Sequence, residues 1–127
     1  MGDRAGRRRS HHDSRHERGA VTAELALVLP AVVMVLLVCC TLGAAVLGQV
    51  RCADAARAGA RAAAIGEPAA VVLSVARELA GADAQVSIAA DGAWVEVVVS
   101  RPVAAGVLGA GTLEARASAR AWVEPGP

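Results

Sequence analysis

From Leu25 to Val50 the chain carries no charged residue: twenty-six positions, LALVLPAVVMVLLVCCTLGAAVLGQV, filled mainly by Leu, Val and Ala. As one helix the run would be about 39 Å long at ~1.5 Å per residue, whereas ~20 residues suffice for a bilayer core of ~30 Å. It therefore predicts a membrane span that tilts, or bends at Pro30, to fit. The alternative is a helix buried in a soluble protein, but a chain of 127 residues has too little left to wrap a helix apolar on every side. An ordinary secretory signal, with an apolar stretch of ~7–15 residues, is too short to account for it. Val38 ahead of Cys39 fits a lipoprotein signal poorly. Arg7-Arg8-Arg9 lies too far upstream for a twin-arginine signal, with Asp13 and Glu17 between.

The flanks set the expected orientation. Residues 1–18 carry six Arg, against three (Arg51, Arg57, Arg61) in the fifteen residues after Val50. The excess of basic residues before the span places the N-terminus in the cytoplasm. All thirteen basic residues are Arg, and Phe and Tyr are absent, so the domain beyond the span must build its core from Ala, Val and Leu.

Glu24 sits at the edge of the apolar run, where a carboxylate costs less than the ~2.5–3.5 kcal/mol of the bilayer centre. One reading is an interfacial carboxylate that snorkels to water. The other gives it a partner. A peptidase cutting after Gly19 would leave an α-amino group on Ala20, one helical turn before Glu24, for that carboxylate to meet in its own chain or in a neighbour.

The stretch Arg18-Gly19-Ala20-Val21-Thr22-Ala23-Glu24, running into an apolar helix, resembles the leader of type IV pilins. More closely, RGAVTAELALVLP, then QVRCADAARAGARAAA, then a strand-rich tail ending near ARAWVEP, resemble the TadE-like minor pilins of tight-adherence (Flp) pilus systems, in the short form found in GC-rich bacteria. The resemblance implies cleavage by a prepilin peptidase between Gly19 and Ala20, and a role for Glu24 in docking the subunit into a filament. Its implied partners are the prepilin peptidase, other pilin subunits, the assembly platform and the lipid bilayer. Ala20 departs from the Phe that often opens mature type IV pilins and is methylated on nitrogen. The expected organisation is a basic cytoplasmic leader over 1–19, a transmembrane helix over 20–50, a helical extension over 51–66 and a small extracytoplasmic domain over 67–127.

Residues 51–64 (RCADAARAGARAAA) are rich in the helix formers Ala and Arg. Asp54 lies three residues before Arg57, and Arg57 four before Arg61, on one face. Ala55, Gly59 and Ala63 recur every four residues, and Ala44 and Gly48 extend the pattern into the run. Such a stripe allows another helix to approach closely, although spacing of this kind also arises by chance in a composition so rich in Ala. Gly66 and Pro68 are expected to stop the helix. A second helix is predicted over 69–81, with Val72, Leu73, Ala76, Leu79 and Ala80 as its apolar stripe. Gln85–Ala89 and Trp94–Ser100 read as a hairpin around Ala90-Asp91-Gly92, closed by Pro102. After a loop over 103–111 containing three Gly, Thr112–Glu124 alternates well. Leu113, Ala115, Ala117, Ala119, Ala121 and Val123 share one face, and Glu114, Arg116, Ser118, Arg120, Trp122 and Glu124 the wet one. The fold class is α+β: a long N-terminal helix, a short second helix and a three-stranded antiparallel sheet, pilin-like in layout.

Little in the sequence carries chemistry. Cys39 and Cys40 are adjacent inside the span and Cys52 lies just past it; they read as small apolar filler, with a cross-link between two subunits through Cys52 as the alternative. His12 and His16 stand one turn apart, but in a polar tail without a helix signal, so no metal site is expected. No phosphate loop, zinc motif or nucleophile elbow is present, so neither a cofactor nor a small-molecule substrate is expected. Membrane topology accounts for the Arg-rich tail without nucleic acid. The chain is expected to be a structural or assembly protein and not an enzyme. The alternative is an uncleaved, signal-anchored cell-surface or binding protein that forms no filament.

Overall fold

A computed structural model describes residues 13–104 and 111–123. The elements are α1 (Asp13–Ala64), α2 (Ala69–Ala80), β1 (Gln85–Asp91), β2 (Trp94–Ala104) and β3 (Thr112–Trp122). The strands form one antiparallel sheet in the order β1-β2-β3, and the class is the expected α+β. Two compact units divide the chain, one ending at Leu36 and the other starting at Leu37, and α1 runs through that division.

In the first unit, α1 begins at Asp13, so residues 13–18 are helical where the sequence offered no helix signal. The long apolar run supplies the nucleus, and extension from a formed helix costs little per residue. The Arg7-Arg8-Arg9 cluster, His11 and His12 lie outside the described residues. Every residue from Arg15 to Leu36 is exposed. The Thr22 hydroxyl donates to the Arg18 carbonyl at 2.8 Å, which keeps that polar group satisfied within the helix itself. The helix is long and apolar enough to cross a membrane, and its most apolar stretch is uncovered by the rest of the protein.

In the second unit, α1 ends in a glycine cap. Gly66 takes φ +83°, its N–H donates to Ala63 and the Glu67 N–H to Ala62, both at 3.1 Å. These two bonds satisfy the last carbonyls of the helix, and a residue without Cβ takes the left-handed turn they require. α2 buries Val72, Ala76 and Ala80, whereas Leu79, expected in the same stripe, is 47% exposed. The core joins Cys52, Ala55, Ala56 and Ala60 of α1 to these α2 residues and to Val97, Val99, Val103 and Ala115 of the sheet. With no aromatic side chain to fill it, it is made thin by small residues that let backbones approach.

The hairpin turn falls one residue later than the Asp-Gly pair suggested. Asp91 pairs with Trp94 as the last rung, leaving Gly92 and Ala93 as the turn, with Gly92 at φ +61°. The second strand also runs through Pro102 instead of ending there, pairing Pro102 with Glu114 and continuing to Ala104. Backbone groups of alternate residues in an antiparallel strand face alternate neighbours. Arg116, opposite Ser100, bonds outward, to Gln49, so Ser100 and Pro102 face the β1 side. That strand has already stopped at Gln85, opposite Ser100. The N–H that proline lacks would have had no partner.

Candidate functional site

Two groups of residues are candidates, one in each unit. In the first, Gly19 and Ala20 lie inside the continuous helix α1. A side chain added at Gly19 would meet nothing within 4 Å, so the glycine is not there for packing. Its effect is on the backbone: glycine in a helix interior costs ~1 kcal/mol relative to Ala, which weakens α1 at the expected cut. Glu24 is exposed, one turn beyond Ala20 and on the same face. Among the described residues it has no ion pair. In the uncut chain Ala20 offers a backbone amide rather than an amine, so the cation Glu24 would meet does not exist before cleavage.

In the second unit lies the small-residue stripe. Gly48, Ala55 and Gly59 are buried, and the surface covering them belongs to this chain. A Cβ at Gly48 would stand 3.0 Å from Val103 Cγ2, and one at Gly59 3.1 Å from Val97 Cγ1 and 3.6 Å from Ala76 Cβ. Ala63 is half-buried against the same core, while Ala44 is exposed. The stripe thus meets the sheet and α2 of its own chain. The surface of α1 left open in this stretch is another one, carrying Leu42, Val46 and Val50.

Packing of the sheet begins inside the uncharged run. Ala45 packs on the core and Gly48 is buried. The Gln49 carboxamide donates through Nε2 to the Arg116 carbonyl at 2.7 Å and accepts the Arg116 N–H on Oε1 at 3.2 Å. The last six residues of the run therefore carry the domain, and Leu25–Ala44 remains: twenty residues, about 30 Å of helix at ~1.5 Å per residue, the thickness of a bilayer core.

Cys52 is fully buried, with Sγ 3.6 Å from the Ala115 carbonyl. Burial pushes its thiol up from the ordinary range, and the nearby charge of Arg101 pulls the other way. A cross-link between subunits through this residue would require the core to open. Cys39 and Cys40 are exposed. Arg101 itself bonds the Ala80 carbonyl through Nη1 at 3.0 Å, placing a cation at the end of α2, and its Nε is buried with no acceptor among the described residues. Gln49 and Arg101 were not legible as site residues, since both partners lie far away in sequence. On the sheet face away from the core, Trp94 and Trp122 meet edge to face, ring centres 5.2 Å apart, each about half exposed. Beside them Arg120 pairs with Glu96 at 3.4 Å. Among the described residues no cluster of metal-ligating side chains occurs.

These features define a class: among the described residues, one N-terminal helix is long and apolar enough to cross a membrane, and the second unit is a small α+β unit. Residues 19–61 match the family model described as TadE-like protein. The chain thus carries a TadE-like segment, which begins at Gly19, contains the whole apolar run and reaches into the part of α1 that bears the core. It points to a pilus-associated protein. No curated protein and no solved structure matches the chain.

Proposed function

We propose that the chain is a minor pilin or pseudopilin of a tight-adherence (Flp) type IV pilus. It is held in the cytoplasmic membrane with its N-terminus inside, cut between Gly19 and Ala20 by a prepilin peptidase, and packed through α1 among other pilin subunits at the assembly platform. The observation that carries this reading is the TadE-like match over 19–61 on a helix whose apolar surface is uncovered. Leu42, Val46 and Val50, spaced by four and all exposed, support it by offering neighbouring helices in a filament an apolar surface. In a helical bundle Glu24 sets the register, because an unpaired carboxylate among apolar side chains is costly and the amine of Ala20 relieves that cost. The work is structural, with no reaction catalysed.

A second reading, an uncleaved signal-anchored surface protein, is favoured by one observation: α1 is unbroken through Gly19 and Ala20, and a peptidase needs extended backbone. The intact mass of membrane-extracted protein, with and without co-expressed prepilin peptidase, separates the two. A mass equal to Ala20–Pro127 only when the peptidase is present is the expected result. Full-length mass in both, with the peptidase active on a known substrate, selects the permanent anchor.

A further inference from the structure

Where the uncharged run gives way to the domain, a shallow groove of about 270 Å³ opens between α1 and the end of β2. Its lining is mixed: Ala44, Leu47, Pro102 and Val103 are apolar, and each wall adds one cation, Arg51 from α1 and Arg101 from β2. Arg51 is the first charged residue after Glu24, and it is exposed. Neither arginine has an ion pair among the described residues, and no carboxylate lines the groove. By contrast, Arg57 and Arg120 pair with Asp54 and Glu96. With twenty apolar residues ending at Ala44, the groove falls where the hydrocarbon of a bilayer meets its headgroups. Arg51, exposed and without an ion pair among the described residues, and Arg101, with one Nη donating to the Ala80 carbonyl and the other not so engaged, line the groove with apolar side chains and match a phosphate ester attached to an acyl chain: guanidinium is weakly hydrated and its donors fit phosphate oxygens.

The geometry points to a phospholipid site, in which Arg51 and Arg101 hold the phosphate of an anionic lipid and Leu47, Ala44 and Val103 lie along its first methylenes. This inference rests on the membrane reading and adds a ligand to it. It also gives a role to basic charge on the side of the span where the topology rule disfavours it. The lipid would tie the domain to the bilayer surface while the subunit is stored there, and its release would accompany extraction.

The test uses the full-length chain in a neutral detergent, with bound lipid counted by native mass spectrometry against added phosphatidylglycerol, phosphatidylcholine or inorganic phosphate. Phosphatidylglycerol is expected to bind most tightly. Arg51→Gln should weaken it about fivefold, the ratio given by ~1 kcal/mol per basic residue at an anionic surface. Arg61→Gln, further along α1, should leave it unchanged. Arg101→Gln should act like Arg51→Gln, but it also removes the bond to Ala80, so Arg51→Gln carries the decision. Equal losses from Arg51→Gln and Arg61→Gln would mean diffuse charge attraction and overturn the site. Displacement of lipid by equimolar inorganic phosphate would overturn its lipid character. Insertion is read separately, as retention in phosphatidylcholine vesicles at alkaline pH. Retention without any preference for phosphatidylglycerol defeats the groove alone, whereas failure to insert defeats the membrane reading as well.

Discussion

The side chain of Gln49 treats Arg116 as a neighbouring strand would, giving a hydrogen to its carbonyl at 2.7 Å and taking one from its N–H at 3.2 Å. An edge strand leaves such groups unpaired. One carboxamide thus satisfies one rung of the β3 edge and fixes the sheet to α1. Gln49→Leu should lower the stability of the domain by about 1–2 kcal/mol, two hydrogen bonds of modest net value, read as a shift in the urea midpoint of the full chain in detergent. Gln49→Glu keeps the acceptor but sets a carboxylate against a carbonyl. It should cost at least as much at neutral pH and recover part of the loss below pH ~4, where the carboxyl regains a hydrogen to donate.

Most elements were legible because each rests on a local pattern. The uncharged run gave α1, the stop at Gly66 came from the glycine cap, and period-2 alternation gave β3. What escaped depended on partners distant in sequence. Pro102 reads as a strand end unless one knows that β1 has stopped on that side. Leu79 reads as core unless one knows that Ala76 and Ala80 suffice to seat α2. Gln49 looks like the polar end of a membrane helix, and nothing nearby hints at Arg116, sixty-seven residues on. For the candidate site, Gly19, Ala20 and Glu24 are proposed from their spacing, and the structure puts all three in α1. The small-residue stripe was legible as a close-approach surface, yet spacing alone does not say which neighbour approaches.

That neighbour makes Gly59 sensitive to size. A Cβ there would stand 3.1 Å from Val97, a contact that Val97 must yield to by a few tenths of an ångström. Gly59→Ala should therefore be close to neutral, the ~1 kcal/mol gained in helix propensity offsetting the squeeze. Gly59→Leu should destabilise by about 1–3 kcal/mol through overpacking. Gly43, where an added Cβ meets nothing within 4 Å, provides the contrast: Gly43→Leu should leave the melting temperature of the domain unchanged or slightly raised, by the same gain in helix propensity. If the two leucine variants melt together, the core does not close on Gly59.

Cys52 should behave as a protected thiol. In the folded chain, burial raises its pKa and Arg101 only partly opposes this. The stability this contributes is complete below the ordinary thiol range and is lost as pH rises through the raised value, because there the unfolded chain has already released the proton that the folded one still holds. Denaturant midpoints should fall on the alkaline side for the native chain and fall less for Cys52→Ala. At neutral pH, alkylation of Cys52 should be at least about a thousandfold slower than in urea, following the small fraction of unfolded chain. Rapid labelling in the native state would contradict a closed core at this position.

In the proposed function, Glu24 ties assembly to the processing step. In the uncut chain Ala20 has only an amide to present; a cut after Gly19 would put its amine one turn away on the same face. Glu24→Gln removes the charge and keeps the shape. It should leave insertion into membranes unchanged or slightly easier, since a carboxylate in the span is a cost and never a gain. In filaments the same change deletes a charge-assisted bond of ~1.5–3 kcal/mol in a poorly solvated setting, so pilus yield should drop at least about tenfold. Glu24→Asp, with the charge kept on a shorter arm, should fall between. The measurement is the ratio of subunit in sheared pili to subunit in the membrane fraction, with cleavage after Gly19 checked by mass in each strain. Equal ratios for native chain and Glu24→Gln, both cleaved, would make Glu24 an interfacial carboxylate that reaches water, and the register would have to come from the apolar surface of Leu42, Val46 and Val50.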